Sequence, residues 1–131
     1  PNWKVFLADS VGELRWWWGL ADLGFVGGSF GARGGQNMIE PCAYSVAVCF
    51  GPNTRNFADV VQILLDAEAA TQLASPEELK PWVVRMIEDS PTRSLTARRA
   101  ESITSEHRGA TERTWKQLAV LVQRQVQSTA P

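Results

Sequence analysis

Over the first 74 residues, short apolar runs bounded by Gly, Pro, Asn and Ser alternate with longer amphipathic stretches. The runs at 3–8, 23–26, 46–50 and 70–73 are short and rich in Val, Phe and Leu, which predicts strands. Between them, residues 11–21, 37–44 and 57–67 carry the spacing of helices packed by one face. Strands and helices in alternation predict βαβ units, hence an α/β fold with a parallel sheet and right-handed crossovers. From Pro76 the pattern is helical to the end, broken near Ser90-Pro91 and at Gly109. The chain thus divides into a βαβ part, residues 1–74, and a helical part, residues 75–131. Four strands are few for a doubly wound nucleotide-binding domain, so the chain is expected to begin inside a domain.

The helix starts carry their own signals. Ser10 and Glu13, Asn37 and Glu40, Asn56 and Asp59, and Ser75 and Glu78 each place a capping side chain three residues before an acid. Pro76 falls at a first helical position, where its lack of an N–H costs nothing. The last helix gathers Trp115, Leu118, Ala119, Leu121, Val122 and Val126 on a face too apolar to leave in water. That face, and a sheet edge left open by absent upstream strands, leave room for self-association.

Composition narrows the function. The chain has 131 residues, enough for one core, with 44% hydrophobic and 21% charged residues. A formal net charge of -1 offers no electrostatic footing for nucleic acid or an anionic membrane. No apolar run reaches the ~20 residues that span a bilayer, and Pro1 does not open a signal peptide. The chain has no initiator Met and is expected to be a piece of something longer. Cys42 and Cys49 are the two cysteines, both in apolar surroundings, and read as reduced buried thiols. With His107 the single histidine, zinc chemistry and His-based nucleophiles find too few ligands, and no metal site or cofactor is expected.

Three loops fall at the C-terminal edge of the expected sheet, where open α/β sheets bind ligands. In the loop 27–37, Gly28, Gly34 and Gly35 permit close backbone approach, so that amides, with Ser29, Arg33 and Gln36, can face an anion. Asn37 caps the following helix, whose free N–H groups and dipole would face a phosphate, and Glu40 could hold a ribose diol. Glu13, after the first run, is placed at the same edge. On spacing alone Glu13 reads better as the reciprocal cap partner of Ser10, while for Glu40 the capping and binding roles stay balanced. The third loop, 51–57, offers Thr54, Arg55 and Asn56 to an anionic sugar, with Asn56 also placed as a helix cap. Trp16, Trp17 and Trp18 lie within a helix, so at least one ring should be core.

At these residues the chain resembles the 3-deoxy-D-manno-octulosonic acid (Kdo) transferases of lipid A assembly. The matching pieces are Val11-Gly12-Glu13-Leu14, the run from Ala21 through Ser29, and Arg33-Gly34-Gly35-Gln36-Asn37-Met38-Ile39-Glu40-Pro41. Gly51-Pro52-Asn53-Thr54-Arg55-Asn56-Phe57 and the tail piece from Arg108 to Thr114 follow in order. The resemblance implies the Rossmann-like C-terminal half of a GT-B glycosyltransferase, followed by C-terminal helices. It implies that Val11, Gly12, Glu13, Asn37, Met38, Ile39 and Glu40 contact the donor CMP-Kdo, with Glu40 on the ribose. The lipid A precursor would bind the N-terminal domain, which would also hold the catalytic acid. No catalytic residue is therefore expected in this chain, and alone it should not turn over substrate. The full enzyme would work at the cytoplasmic side of the bacterial inner membrane. Gln36 and Asn53 stand where that family commonly has histidine; a glutamine amide can donate a hydrogen bond there but cannot titrate. Two other readings compete: a GT-B enzyme using a UDP- or GDP-sugar, and a non-catalytic helical interaction module.

Overall fold

The structure, a computed structural model, describes residues 4–108 together with Trp115, Leu118 and Ala119. The sequence predicts further helix past Gly109, with Leu121, Val122 and Val126 on its apolar face; those residues, like most of the tail piece 108–114, lie outside the described ones.

Three parallel strands form the sheet, β1 (Leu23–Val26), β2 (Ala47–Phe50) and β3 (Ala70–Gln72), in the order β1-β2-β3. Leu23 pairs with Ala47 and Val48 with Ala70. Every residue of β2 is buried, because helices cover both faces of the central strand. On one face Val26, Val46, Val48, Phe50 and Ala70 meet Met38, Cys42, Val61, Leu64 and Ala100. These come from α2 (Ile39–Cys42) and the residue before it, α3 (Ala58–Asp66) and α5 (Ser90–Arg108). On the other face Cys49 and Leu73 meet Trp82 and Met86 of α4 (Leu79–Glu88). Each large apolar side chain so buried contributes about 1.5–3 kcal/mol. The two cysteines belong to opposite faces, and burial pushes both thiols up to about 12. Inert buried thiols match the sequence reading.

The turns that lead from α2 into β2 and from α3 into β3 are built alike. After α2, the Val46 N–H reaches Pro41 O and the Ser45 N–H reaches Cys42 O, each at 3.2 Å. After α3, Ala69 and Glu68 repeat the pattern onto Leu64 O and Leu65 O. The pivots Ser45 and Glu68 have φ of 56° and 51°, the left-handed position usually given to glycine. Both pivots hold α5: Ser45 Oγ donates to the Glu101 carboxylate, and Arg99 donates to Glu68 at 2.6 Å. Asp89 turns α4 into α5, accepting the Thr92 N–H at 3.0 Å. Its bonds with Thr92, and to a lesser degree the charge of Arg85, hold its carboxyl below the ordinary range.

One expected strand is not there. Residues 4–10 have no ladder, and Val5 and Leu7 are 85% and 81% exposed. A strand exists only with a partner backbone, and this segment does not reach the outer edge of β1. Its anchor is the Phe6 ring, 4.8 Å from that of Trp17. The helix expected over 11–21 shortens to α1 (Leu14–Trp18), since Gly12 at φ 90° breaks it below and a turn follows Trp18. The three tryptophans separate. Trp18 lies on the sheet where Gly24 leaves room, a Cβ there falling 3.0 Å from its ring. Trp17 meets Phe6, and Trp16 faces outward under the Arg15 guanidinium, 4.7 Å from its centroid.

Candidate functional site

The loops that leave β1 and β2 at their C-terminal ends are bonded into one unit. Ser29 is fully buried; its hydroxyl donates to Val26 O at 2.7 Å and accepts the Gly51 N–H at 2.8 Å. The Asn53 N–H reaches Ser29 O at 2.8 Å, and its side-chain amide donates to Gly31 O. Arg55 donates to Ala32 O at 2.9 Å. The Asn56 side chain donates to Arg33 O at 2.9 Å and Gly35 O at 3.4 Å, while its backbone N–H takes Gly34 O. The loop closes at its base through Gly35 and Gln36, whose N–H groups reach Gly28 O and Gly27 O.

Glycine is required at two of these positions. Gly34 has φ 82°, and a Cβ on it would stand 2.8 Å from both Arg55 Cγ and Asn56 Oδ1. A Cβ on Gly51 would fall 2.6 Å from the Phe30 ring and 2.7 Å from Ser29 O.

The sequence-predicted residues divide by exposure. Ser29, Gly34, Gly35 and Met38 are buried, Met38 completely, so that its side chain belongs to the core. Val11, Gly12, Glu13, Arg33, Gln36, Asn37, Ile39 and Glu40 are exposed, and Gly28, at φ 71°, is half-buried. Asn37 does what a cap should: its Oδ1 accepts the Ile39 N–H at 2.9 Å. Its amide then donates to Glu40 Oε1 at 3.3 Å, which orients the carboxylate at the loop's end. The helix behind it, α2, is a single turn, too short for the aligned peptide dipoles expected from a helix over 37–44. Glu13 stands just before α1, which packs beside α2, so the two glutamates occupy the starts of neighbouring helices.

Three expected caps take other partners, Ser75 meeting the Glu77 side chain and not a helix N–H. Ser10 donates to the Glu13 carboxylate rather than accepting from a helix N–H, because α1 begins only at Leu14. Asn56 does not cap α3; it turns back onto the glycine loop and supplies donors to the carbonyls of Arg33 and Gly35. Asn53 had no loop-building role in the sequence reading. The signal for it is an accounting one: a glycine-rich loop has many carbonyls and no side chains of its own, so amide and guanidinium donors in the neighbouring loop are its natural complement. Among the described residues, no cluster of three or more His, Cys, Asp or Glu could hold a metal ion, and no helix is long and apolar enough to cross a membrane. A cavity of about 360 Å³ lies beside the second loop, lined by Arg55, Asn56 and the first turn of α3.

No family model matches the chain. Individual proteins do. The 3-deoxy-D-manno-octulosonic acid transferase of Bordetella pertussis is 36% identical over 114 residues, covering 87% of this chain and 27% of that protein. The Haemophilus influenzae transferase of the same name is 31% identical over 126 residues, covering 95% of this chain and 30% of its own. The chain therefore spans less than a third of the length of these relatives. Among solved structures, the C-terminal CMP-Kdo binding domain of WaaA from Acinetobacter baumannii superposes with a TM-score of 0.65 at 33% identity. That likeness covers 74% of this chain and 51% of the WaaA domain. The parallel sheet flanked by helices is the Rossmann-like arrangement expected of a GT-B half, and the chain belongs to the 3-deoxy-D-manno-octulosonic acid transferase family, corresponding to its C-terminal domain.

Proposed function

We propose that this chain is the donor-binding part of a glycosyltransferase that moves Kdo from CMP-Kdo to a lipid A precursor at the cytoplasmic face of the inner membrane. The observation that carries the reading is the likeness to the CMP-Kdo binding domain of WaaA, at 33% identity over 74% of the chain. Within the paired-loop unit, Glu40 is exposed and oriented by Asn37, as a carboxylate must be to accept two hydrogen bonds from a ribose diol. The backbone of the loop 27–37 faces the phosphate, and Val11, Gly12 and Glu13 approach from the start of α1. Met38 contributes its backbone alone, since its side chain is in the core. Acceptor and catalytic acid belong to the preceding domain of the full enzyme.

Titration with CMP, UMP and GMP, followed by amide chemical shifts, tests this. CMP is expected to shift Gly12, Glu13 and residues 37–40 selectively. Losing a hydrogen-bonded carboxylate costs about 1.5–3 kcal/mol, so Glu40→Ala should weaken CMP about tenfold or more. Preference for UMP or GMP would move the chain to another GT-B donor class. Absence of any nucleotide binding would overturn the reading.

A further inference from the structure

The loop 51–57, expected from the sequence to touch an anionic sugar, spends its side chains elsewhere. Its donors reach six carbonyls of the loop before it: Ser29, Gly31, Ala32, Arg33, Gly34 and Gly35. Three of these bonds come from the side chains of Asn53, Arg55 and Asn56 onto three successive carbonyls, Gly31 to Arg33. A trans peptide unit is planar, with its C=O and N–H pointing opposite ways. Every carbonyl drawn toward the second loop therefore turns the next residue's N–H away from it. The N–H groups so turned are those of Phe30, Ala32, Arg33, Gly34, Gly35 and Gln36. Gly35 and Gln36 spend theirs closing the loop. Those of Phe30, Ala32 and Arg33 have no acceptor among the described residues.

We propose that Asn53, Arg55 and Asn56 are positioning residues for the donor: they hold the glycine loop by its carbonyls so that a row of backbone N–H groups faces the ligand. This rests on the donor-binding reading above. None of the three touches the nucleotide; they act through the backbone of residues 31–35. Gly34 belongs to the device, because only a residue without Cβ lets Arg55 and Asn56 come so close. A glycine-rich loop would otherwise lose much conformational entropy on binding an anion, and these side-chain bonds remove that freedom beforehand.

The test compares Asn56→Asp, Arg55→Met and Arg55→Lys with the unaltered chain. Asn56→Asp sets a carboxylate against two carbonyl oxygens. Arg55→Met keeps the stem beside Gly34 and removes the donor, and Arg55→Lys returns one. Loss of one or two such bonds should weaken CMP binding about tenfold in Asn56→Asp and about threefold in Arg55→Met, with Arg55→Lys recovering most of that loss. Without nucleotide, amide exchange at residues 31–35 should rise in the same order, while Tm stays close to that of the parent. If Asn56→Asp fails to fold, the Arg55 pair decides. Parent-like CMP affinity in the variants, or loss in Arg55→Met that Arg55→Lys does not recover, overturns the positioning role and leaves donor binding intact. If the unaltered chain binds no CMP, both ideas fall together.

Discussion

The chain contains two apolar runs of similar appearance, Val5-Phe6-Leu7 and Val46-Ala47-Val48-Cys49-Phe50, and the structure treats them in opposite ways. The second is the buried centre of the sheet, paired on both sides and covered on both faces. The first has no ladder, and its side chains are mostly in solvent. Their β propensities hardly differ. What differs is whether another backbone stands about 4.8 Å away to complete the hydrogen bonds and whether helices remove the side chains from water. Strand character belongs to the assembly of strands, and a run that lacks neighbours keeps only its composition.

Phenylalanine occurs in both places, and truncation makes the contrast quantitative. Phe50 is fully buried, so Phe50→Ala should cost about 3–5 kcal/mol, read by chemical denaturation, and do more damage than either of the two truncations that follow. A loss below about 1 kcal/mol would mean that the β2 core is not the chain's main support. Ser29→Ala tests the junction between that core and the loops. It strands the Gly51 N–H in a buried setting and should cost about 1–3 kcal/mol. Phe6→Ala is the other pole. It removes a ring 57% exposed and should change stability by no more than about 0.5 kcal/mol in the same assay. A large loss there would show that the N-terminal segment is held far more firmly than its exposure implies.

Much of the fold is legible in the sequence because period and punctuation agree. β1 falls where it is expected, β2 and β3 within one residue, and the Ser90-Pro91 break is the start of α5. Pro76 takes a first helical position as predicted. Three of the failures share a cause, in that each turns on a partner distant along the chain. Asn56 reads locally as a cap, yet the carbonyls it satisfies lie more than twenty residues earlier. Ser29 reads as a loop hydroxyl free to meet a ligand, yet its oxygen bridges the ends of two strands. Arg55 reads as a charge for an anion, and it bonds a neutral carbonyl. Asn37 is the contrast, since the N–H its side chain meets is only two residues on, at Ile39, within reach of local reasoning.

The left-handed pivots Ser45 and Glu68 carry a mechanical consequence. Both stand at the entry to a strand, and both are tied to the same helix, α5, through Glu101 and Arg99. A pull along α5 therefore loads the rear rim of the sheet at two anchor points, one strand apart. The front rim, with its paired loops, lies a full strand length away, roughly 13 Å for four residues. Tension arriving through α5 is borne first by the strand entries at the back of the sheet, away from the paired loops.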